Sequence, residues 1–541
     1  MNELIVAGQY NIGHICTTHQ CKSGLKDKTA MRWVSAHHER TDYTFGDLDA
    51  ASNRFANLLD TLGVLPGDIF FTFLPKMPEQ FFAFLGTLKH RTICGTLFSN
   101  FGEDALLDRL SDSKATGIIT KKSFLRKIKR IWPQLPELRF VILVDIDEHS
   151  EENVYSYKQL MDAASAEWTT ALTPPETPSV LHYTSGSTGK PKGALHAHRS
   201  VLLQNSTTRD VLAVNSNDIY WCTADQGWVT GTSYGIIGPW SLGVTQVHFG
   251  GVYDASVWMD LIQTERITVW YTAPTALRML MRESPELYAP FDLSSLRHIS
   301  SVGEPLNPEV MVWGEKILGK KIYDTWFQTE TGGILIPNRP GTPIRHGSMG
   351  KPIDEIEAAI LSDDGSQVGV NTHGNLCIKS GWSSMFITYI NNQEKYDSRF
   401  RDGYYYTGDT AYRDDDGYFW FVGRSDDVIN TSGHLVSPFE VESALLELDE
   451  IVESGVVGVP DDLLFEKVIT YVALRDGITI APELDLKIKL HISNRLSSIA
   501  APHEVIAIEK IPKNKSGKIM RRVLKAWYLG LDAGDISTME D

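Results

Sequence analysis

"YTSGSTGKPKG", Tyr183 to Gly193, holds three glycines, two lysines and five hydroxyl side chains in eleven residues. A packed core has no use for such a stretch. Successive backbone N–H groups in a Gly-rich turn form a concave nest for anions. Glycine lets the backbone approach a ligand closely and adopt positive φ. Thr184, Ser185, Ser187 and Thr188 add hydroxyl donors, Gly186 and Gly189 add freedom, and Lys190 and Lys192 add charge. Together these suit a polyphosphate. The Walker A pattern is not met, because Pro191 follows Lys190 where a metal-binding hydroxyl should stand. A P-loop kinase is therefore disfavoured.

Working outward, "VLHYT" (Val180–Thr184) reads as a strand running into the loop, and "TPPETPSV" (Thr173–Val180) as a proline-rich connector. Upstream, a helix opens near Thr44, with Leu48, Ala51, Phe55, Leu58, Leu59 and Leu62 on one face. Short apolar runs follow at "IFFTFLP", "GIIT" and "FVILVDI", with helical segments between, which predicts an α/β architecture with buried strands. A second α/β stretch spans about Asp218 to Leu335. Past it, alternating runs predict a β-rich subdomain with turns at Asp364-Gly365, His373-Gly374 and Asp416-Gly417. From about Asp427 the pattern becomes a small α+β unit ending in a basic helix, whose buried face is read as Met520, Val523, Leu524 and Trp527. The expected fold is thus α/β, with a large N-terminal domain (1–426) of two α/β subdomains plus a β-rich subdomain. A small, mobile α+β C-terminal domain (427–541) follows.

The 541 residues carry a formal net charge of −17, which argues against a nucleic-acid-binding surface and confines any anion site to a locally positive pocket. The five cysteines are scattered and form no disulfide framework, which fits a reducing compartment. "HICTTHQC" (His14–Cys21) matches no zinc spacing. No apolar run is long enough to span a membrane, and the N-terminus lacks the pattern of a signal peptide. A cytoplasmic enzyme is the default expectation.

The phosphate-type loop resembles that of the adenylate-forming superfamily: acyl-CoA synthetases, peptide-synthetase adenylation domains and firefly luciferase. "WCTADQGWVTGTSYGIIGP", "YTAPTALRMLM", "SVGEPLNPE", "YDTWFQTETGG", "YYTGD", "GRSDDVINTSGH" and "PKNKSGKIMRR" are similar to the AMP-forming acetyl-CoA synthetase branch, in order and over about Tyr10 to Lys525. The resemblance implies small-molecule substrates and two half-reactions. A carboxylate attacks the α-phosphate of ATP, giving an acyl-adenylate and pyrophosphate. Coenzyme A thiol then displaces AMP.

It also implies roles. Lys518 resembles the adenylation lysine, and Glu330 the residue that holds Mg²⁺. Thr184 and Thr329 would donate to phosphates, while Asp409 and Arg424 would contact the ribose; a salt bridge between those two is the plainer alternative. Gly303, Glu304 and Pro305 would lie against the adenine face, with Asp324, Thr325, Trp326, Phe327, Gln328 and Thr329 along its edge. Asp426 resembles the hinge, and Ser432 and Gly433 lie where coenzyme A should enter. Trp228, Val229, Thr230, Val302 and Phe327 would wall the acyl pocket.

Two departures qualify the resemblance. Relatives that use acetate carry Trp at the position of Phe327, so a short acid is expected, acetate first and propionate or a small branched acid second. Relatives usually carry Arg where Leu435 stands, so either another basic residue substitutes or the balance between half-reactions shifts, in the direction of ATP formation. Acetylation of Lys518 would be a plausible control, since it removes the charge. The runner-up reading is a stand-alone adenylation enzyme loading an amino or aryl acid onto a carrier protein. A non-catalytic nucleotide-binding regulator is the third.

Overall fold

The computed structural model describes residues 5–149, 151–184, 191–431, 434–514, 518–534, 536 and 539. Ser185, Gly186, Ser187, Thr188, Gly189 and Lys190 of the loop lie outside the described residues, as do Ser432 and Gly433.

Two eight-stranded sheets, mostly parallel, form the bulk of the molecule. In the first, Ile69–Phe73 is flanked in parallel by Ile93–Thr96 and Gly117–Thr120, and Ile93–Thr96 is paired in parallel with Pro178–Thr184. These strands are nearly continuous apolar runs because both faces are covered. The helix Phe45–Thr61 packs on this layer. It opens on a capping box, in which the Thr44 hydroxyl accepts from the Asp47 N–H and the Asp47 carboxylate accepts from the Thr44 N–H. The second sheet places Ile322–Trp326, His298–Ser301, Val269–Thr272, Ile219–Cys222 and Thr245–Phe249 side by side in parallel order, with the stacked Trp221 and Trp270 rings 5.9 Å apart inside it.

The loop that decides the reading is the tip of an antiparallel hairpin, in which Pro178–Thr184 turns back as Lys192–Ala197 and Thr184 stands opposite Lys192. The two-residue strand Thr388–Tyr389 then pairs with Lys192–Ala197 from the far side. An antiparallel five-stranded sheet follows, with Phe419–Arg424 paired along the inner strand Tyr404–Arg413 and Asp409 directly across from Arg424. The turn at Asp364-Gly365 is present, with Gly365 at φ 89°. Gly417 at φ 82° closes the turn after Asp416. The other expected turn moves: Asn371 takes the positive φ of 57° and His373 precedes a strand that begins at Gly374, because asparagine also tolerates that region.

The last unit has its own sheet, built around the hairpin Ile451–Asp461 and Phe465–Leu474, with Ile429–Thr431, His434–Val436 and Glu504–Ala507 added. Helices Pro438–Leu445, Pro482–Arg495 and Arg521–Leu529 cover it. Val523 and Leu524 are buried as read from the sequence, but Trp527 is 50% exposed and Ala526 takes its place in the contact face. Among the described residues, no helix is long and apolar enough to cross a membrane.

Candidate active site

The site forms where the strands of the second sheet end against the hairpin of the first and the five-stranded sheet. That is the position ligands favour in open α/β sheets. Strand Ile322–Trp326 leads into Phe327–Glu330, and the side chains there converge on one carboxylate. Trp326 Nε1 and Gln328 Nε2 each donate to Asp409 Oδ2 at 3.0 Å, and Arg424 Nη1 donates to Asp409 Oδ1 at 2.9 Å. Asp409 is 3% exposed. The cross-strand pair considered from sequence is therefore present, and it is wired into the "DTWFQT" segment. Burial works against the Arg424 charge, but Asp409, Asp426 and Glu330 outweigh it and raise its pKa.

Other side chains in the segment are also engaged. Thr325 donates to the Ser301 carbonyl at 2.8 Å and meets the Tyr271 hydroxyl at 2.7 Å. The Glu304 carboxylate turns inward to Arg278 at 2.8 Å and to the Thr275 N–H at 2.9 Å. What the "GEP" turn offers outward is its backbone and Pro305. Gly303, at φ 103° with open space beyond its Cα, leaves room for a flat ring. Asp324 is buried and its Oδ1 has no partner; burial pushes its carboxyl up to about 8, and the Glu304 charge adds to that.

Glu330 lies on the hairpin side of the site, 9% exposed. Its Oε1 accepts from the Tyr389 hydroxyl at 2.7 Å, and its backbone carbonyl accepts from the Phe386 N–H at 3.0 Å. Thr184 and Lys192 face this region from the hairpin end. Burial lowers the Lys192 pKa, Lys395, Arg399 and Arg424 lower it further, and Glu330 opposes them. Tyr389 and Arg399 escaped the sequence reading: a two-residue edge strand and a lone arginine between helix and strand leave no periodic signal.

Phe327 turns away from the Asp409 cluster. Its ring meets Tyr234 edge-on at 5.5 Å, and it packs with Val302 on one apolar cluster. Tyr234 was also missed, although it follows Thr230 by one helical turn. Its hydroxyl accepts from the Ile334 N–H at 2.7 Å and meets Thr207 at 2.8 Å, so the ring under Phe327 is fixed. Val229 and Thr230 are buried at the helix start. Trp228 packs on Phe98 at 4.7 Å in the neighbouring cluster, with its Nε1 buried and unpartnered.

The C-terminal unit presents Lys518 to this site. Lys513 and Ile519 bridge a turn, and the Lys518 N–H donates to Asn514 Oδ1 at 3.0 Å. Lys518 is exposed to solvent and has Arg424, Asp427, Asp409 and Arg521 as its charged neighbours. Desolvation lowers its pKa, the Arg424 charge adds to that, and Asp427 and Asp409 oppose it. Contacts across the two units include Asn307 Nδ2 to Ser443 Oγ at 2.9 Å, Arg282 to the Val452 carbonyl at 3.3 Å, and an Arg282–Glu453 ion pair. Asp426, 3.8 Å from Arg424 Nε, stands between the end of one sheet and the start of the other. Leu435 points elsewhere and is 48% exposed.

The hairpin residues Thr184 and Lys192, the exposed turn at Gly303, the buried Asp409–Arg424 pair, Glu330 and Lys518 of the last unit thus border one region. The family model for AMP-binding enzymes matches residues 18–389, and the model for the C-terminal domain of AMP-binding enzymes matches residues 440–518. The acetyl-coenzyme A synthetase of Bacillus subtilis is 46% identical over 99% of this chain and 93% of its own length. That of Deinococcus radiodurans is 36% identical over 99% and 86%. Among solved structures, an acyl-CoA synthetase of Brucella canis is 33% identical with a TM-score of 0.75, covering 96% of this chain and 94% of its own. An anthranilate CoA ligase in complex with anthranoyl-AMP is 28% identical with a TM-score of 0.89, covering 97% and 99%. On the full-length match and the cleft that goes with it, the chain belongs to the AMP-binding enzyme family.

Proposed function

We propose that this protein is an AMP-forming acid–CoA ligase whose preferred acid is acetate. It converts carboxylate, ATP and coenzyme A to acyl-CoA, AMP and pyrophosphate through an acyl-adenylate. The observation that carries this reading is the buried Asp409 held by Arg424, Trp326 and Gln328, in a chain 46% identical to an acetyl-coenzyme A synthetase along almost its whole length.

In the first half-reaction a carboxylate oxygen attacks the α-phosphorus, and the bridging oxygen leaves with pyrophosphate. The acid is ionised at neutral pH, with a reference pKa near about 4, so no general base is needed. Positioning and charge neutralisation do the work. Lys518 bridges the attacking carboxylate and the α-phosphate oxygens. The Gly-rich hairpin from Thr184 to Lys192 receives the phosphates, and Asp409 with Arg424 holds the ribose.

Mg²⁺ fits the donor set only in company. Glu330 brings one carboxylate, with Oε1 shared with Tyr389. The described residues form no group of three metal-binding side chains. Glu330 would hold the ion together with phosphate oxygens and water, and the bound ion would neutralise phosphate charge.

For the second half-reaction the unit beyond Asp426 turns, withdrawing Lys518 and bringing up the Ser432–Gly433 side, where the thiol of coenzyme A attacks the acyl carbon and AMP leaves. The domain boundary at Asp426 and this rotation are part of the proposal. The Phe327 ring, held edge-on by Tyr234, limits the pocket to short acids. One methylene discriminates by only about 1–3 kcal/mol, so propionate is also used.

The test is a panel of two- to six-carbon acids assayed for AMP release with coenzyme A present. Acetate is expected to give the highest kcat/KM, propionate the next, and hexanoate the lowest. A peak at five or six carbons contradicts the assigned pocket, and no acid-dependent AMP release contradicts the function.

A further inference from the structure

We infer that Arg399 is a catalytic residue that contacts the α-phosphate and supplies the cation absent at Leu435; this rests on reading the cleft as a nucleotide site. Arg399 stands just before the strand Phe400–Arg401. Its Nη1 lies 3.1 Å from the point where a Cβ on Gly408 would stand, and Arg424 Nη2 lies 3.1 Å from the same point. Gly408, at φ 75°, has no side chain to separate them. Two guanidinium groups therefore share one small space.

Arg424 is paired with Asp409. Arg399 has no such partner: among the described residues no carboxylate reaches ion-pair distance. It reaches the Tyr406 carbonyl at 3.5 Å, its Nε is buried without a partner, and Tyr405, Tyr389 and Glu330 surround its charge. Lys192 and Lys395 add charge nearby, against Glu330. A half-buried guanidinium with no carboxylate at ion-pair distance, set beside a second guanidinium, leaves donors free for an anion between them. In a chain of net charge −17, such a local excess of cations is a built feature.

The position narrows the anion. Glu330 acts on both Arg399 and Lys192, so Arg399 lies on the phosphate side of the site; at Gly408 it borders the Asp409–Arg424 pair. With the ribose at that pair and the outer phosphates near Glu330, the group between them is the α-phosphate. Arginine's planar fork suits a phosphate's paired oxygens.

The measurement is the affinity of AMP relative to adenosine, by calorimetric titration of the full-length protein. Wild type is expected to prefer AMP. Arg399→Gln is expected to weaken AMP by about 10- to 100-fold and to leave adenosine within about twofold. An unchanged AMP preference overturns the proposal. So does an equal loss for both ligands, which marks a purely structural role. Should the Gln variant fail to fold, Arg399→Lys carries the test: loss of the fork is expected to cut the AMP preference by about threefold or more, and an unaltered preference overturns the assignment. A wild type that binds adenosine and AMP equally overturns the nucleotide reading itself, and the inference with it.

Discussion

At the scale of single residues, the cleft is governed by which polar groups already have partners. Asp409 takes three donors, so it is a fixed anchor, whereas the buried Asp324 Oδ1 has none. The folded pKa of Asp324, about 8, stands above its ordinary 3.8. Between those values the folded state keeps a proton that the unfolded state has released. Its stability is full below about pH 3.8 and lost as pH rises to about 8. Asp324→Asn keeps the shape and removes the titration. Urea midpoints at pH 5 and pH 8.5 are expected to favour the variant increasingly as pH rises; a constant difference would refute the assignment. Phe327→Gly tests the pocket. It is expected to raise kcat/KM for hexanoate relative to acetate by about tenfold or more and to cost about 1–3 kcal/mol of stability through lost packing on Tyr234. Unaltered chain-length preference would count against Phe327 as the wall.

At the scale of elements, the strand leading into the loop was legible because the apolar run before the glycines is local, and so was the Thr44 helix start, because a capping box is local. The Asp409–Arg424 pairing followed from the Asp416-Gly417 turn, which sets the register of the two strands. Thr388–Tyr389 was not legible: a two-residue strand has no alternation to read, and its partner lies nearly two hundred residues earlier. Tyr389, Arg399 and Tyr234 were missed with it, since each acts through a long-range contact. Trp527 was misread because an exposed aromatic on a short helix looks like a core residue until the neighbouring sheet is placed. The hinge belongs to this scale. Among the described residues the Asp426 N–H makes no backbone hydrogen bond, while Asp427 and Val428 both donate to the Arg424 carbonyl. Asp426→Pro thus removes no backbone hydrogen bond, gives up the long ion pair with Arg424 and stiffens the turn. Overall acetyl-CoA formation is expected to fall by about tenfold or more while acetate-dependent ATP–pyrophosphate exchange persists. Equal rates in both assays would dismiss the hinge.

At the scale of the molecule, the C-terminal unit is docked on the large one, with Lys518 among the charges of Arg424, Asp427 and Asp409 and Leu435 48% exposed. One side of a small domain cannot serve both half-reactions, and the ion pairs and hydrogen bonds across the cleft are few enough to be exchanged. On the proposed function, Lys518 serves activation alone. The most direct measurement compares wild type with Lys518→Gln in two assays: acetate-dependent ATP–pyrophosphate exchange without coenzyme A, and acetyl-CoA formation from supplied acetyl-adenylate. Exchange is expected to drop by about 100-fold or more in the variant, with thioester formation from the adenylate kept near the wild-type rate. Exchange at the wild-type rate in Lys518→Gln, or equal loss in both assays, would contradict a lysine that swings in to join acid to nucleotide and then swings away.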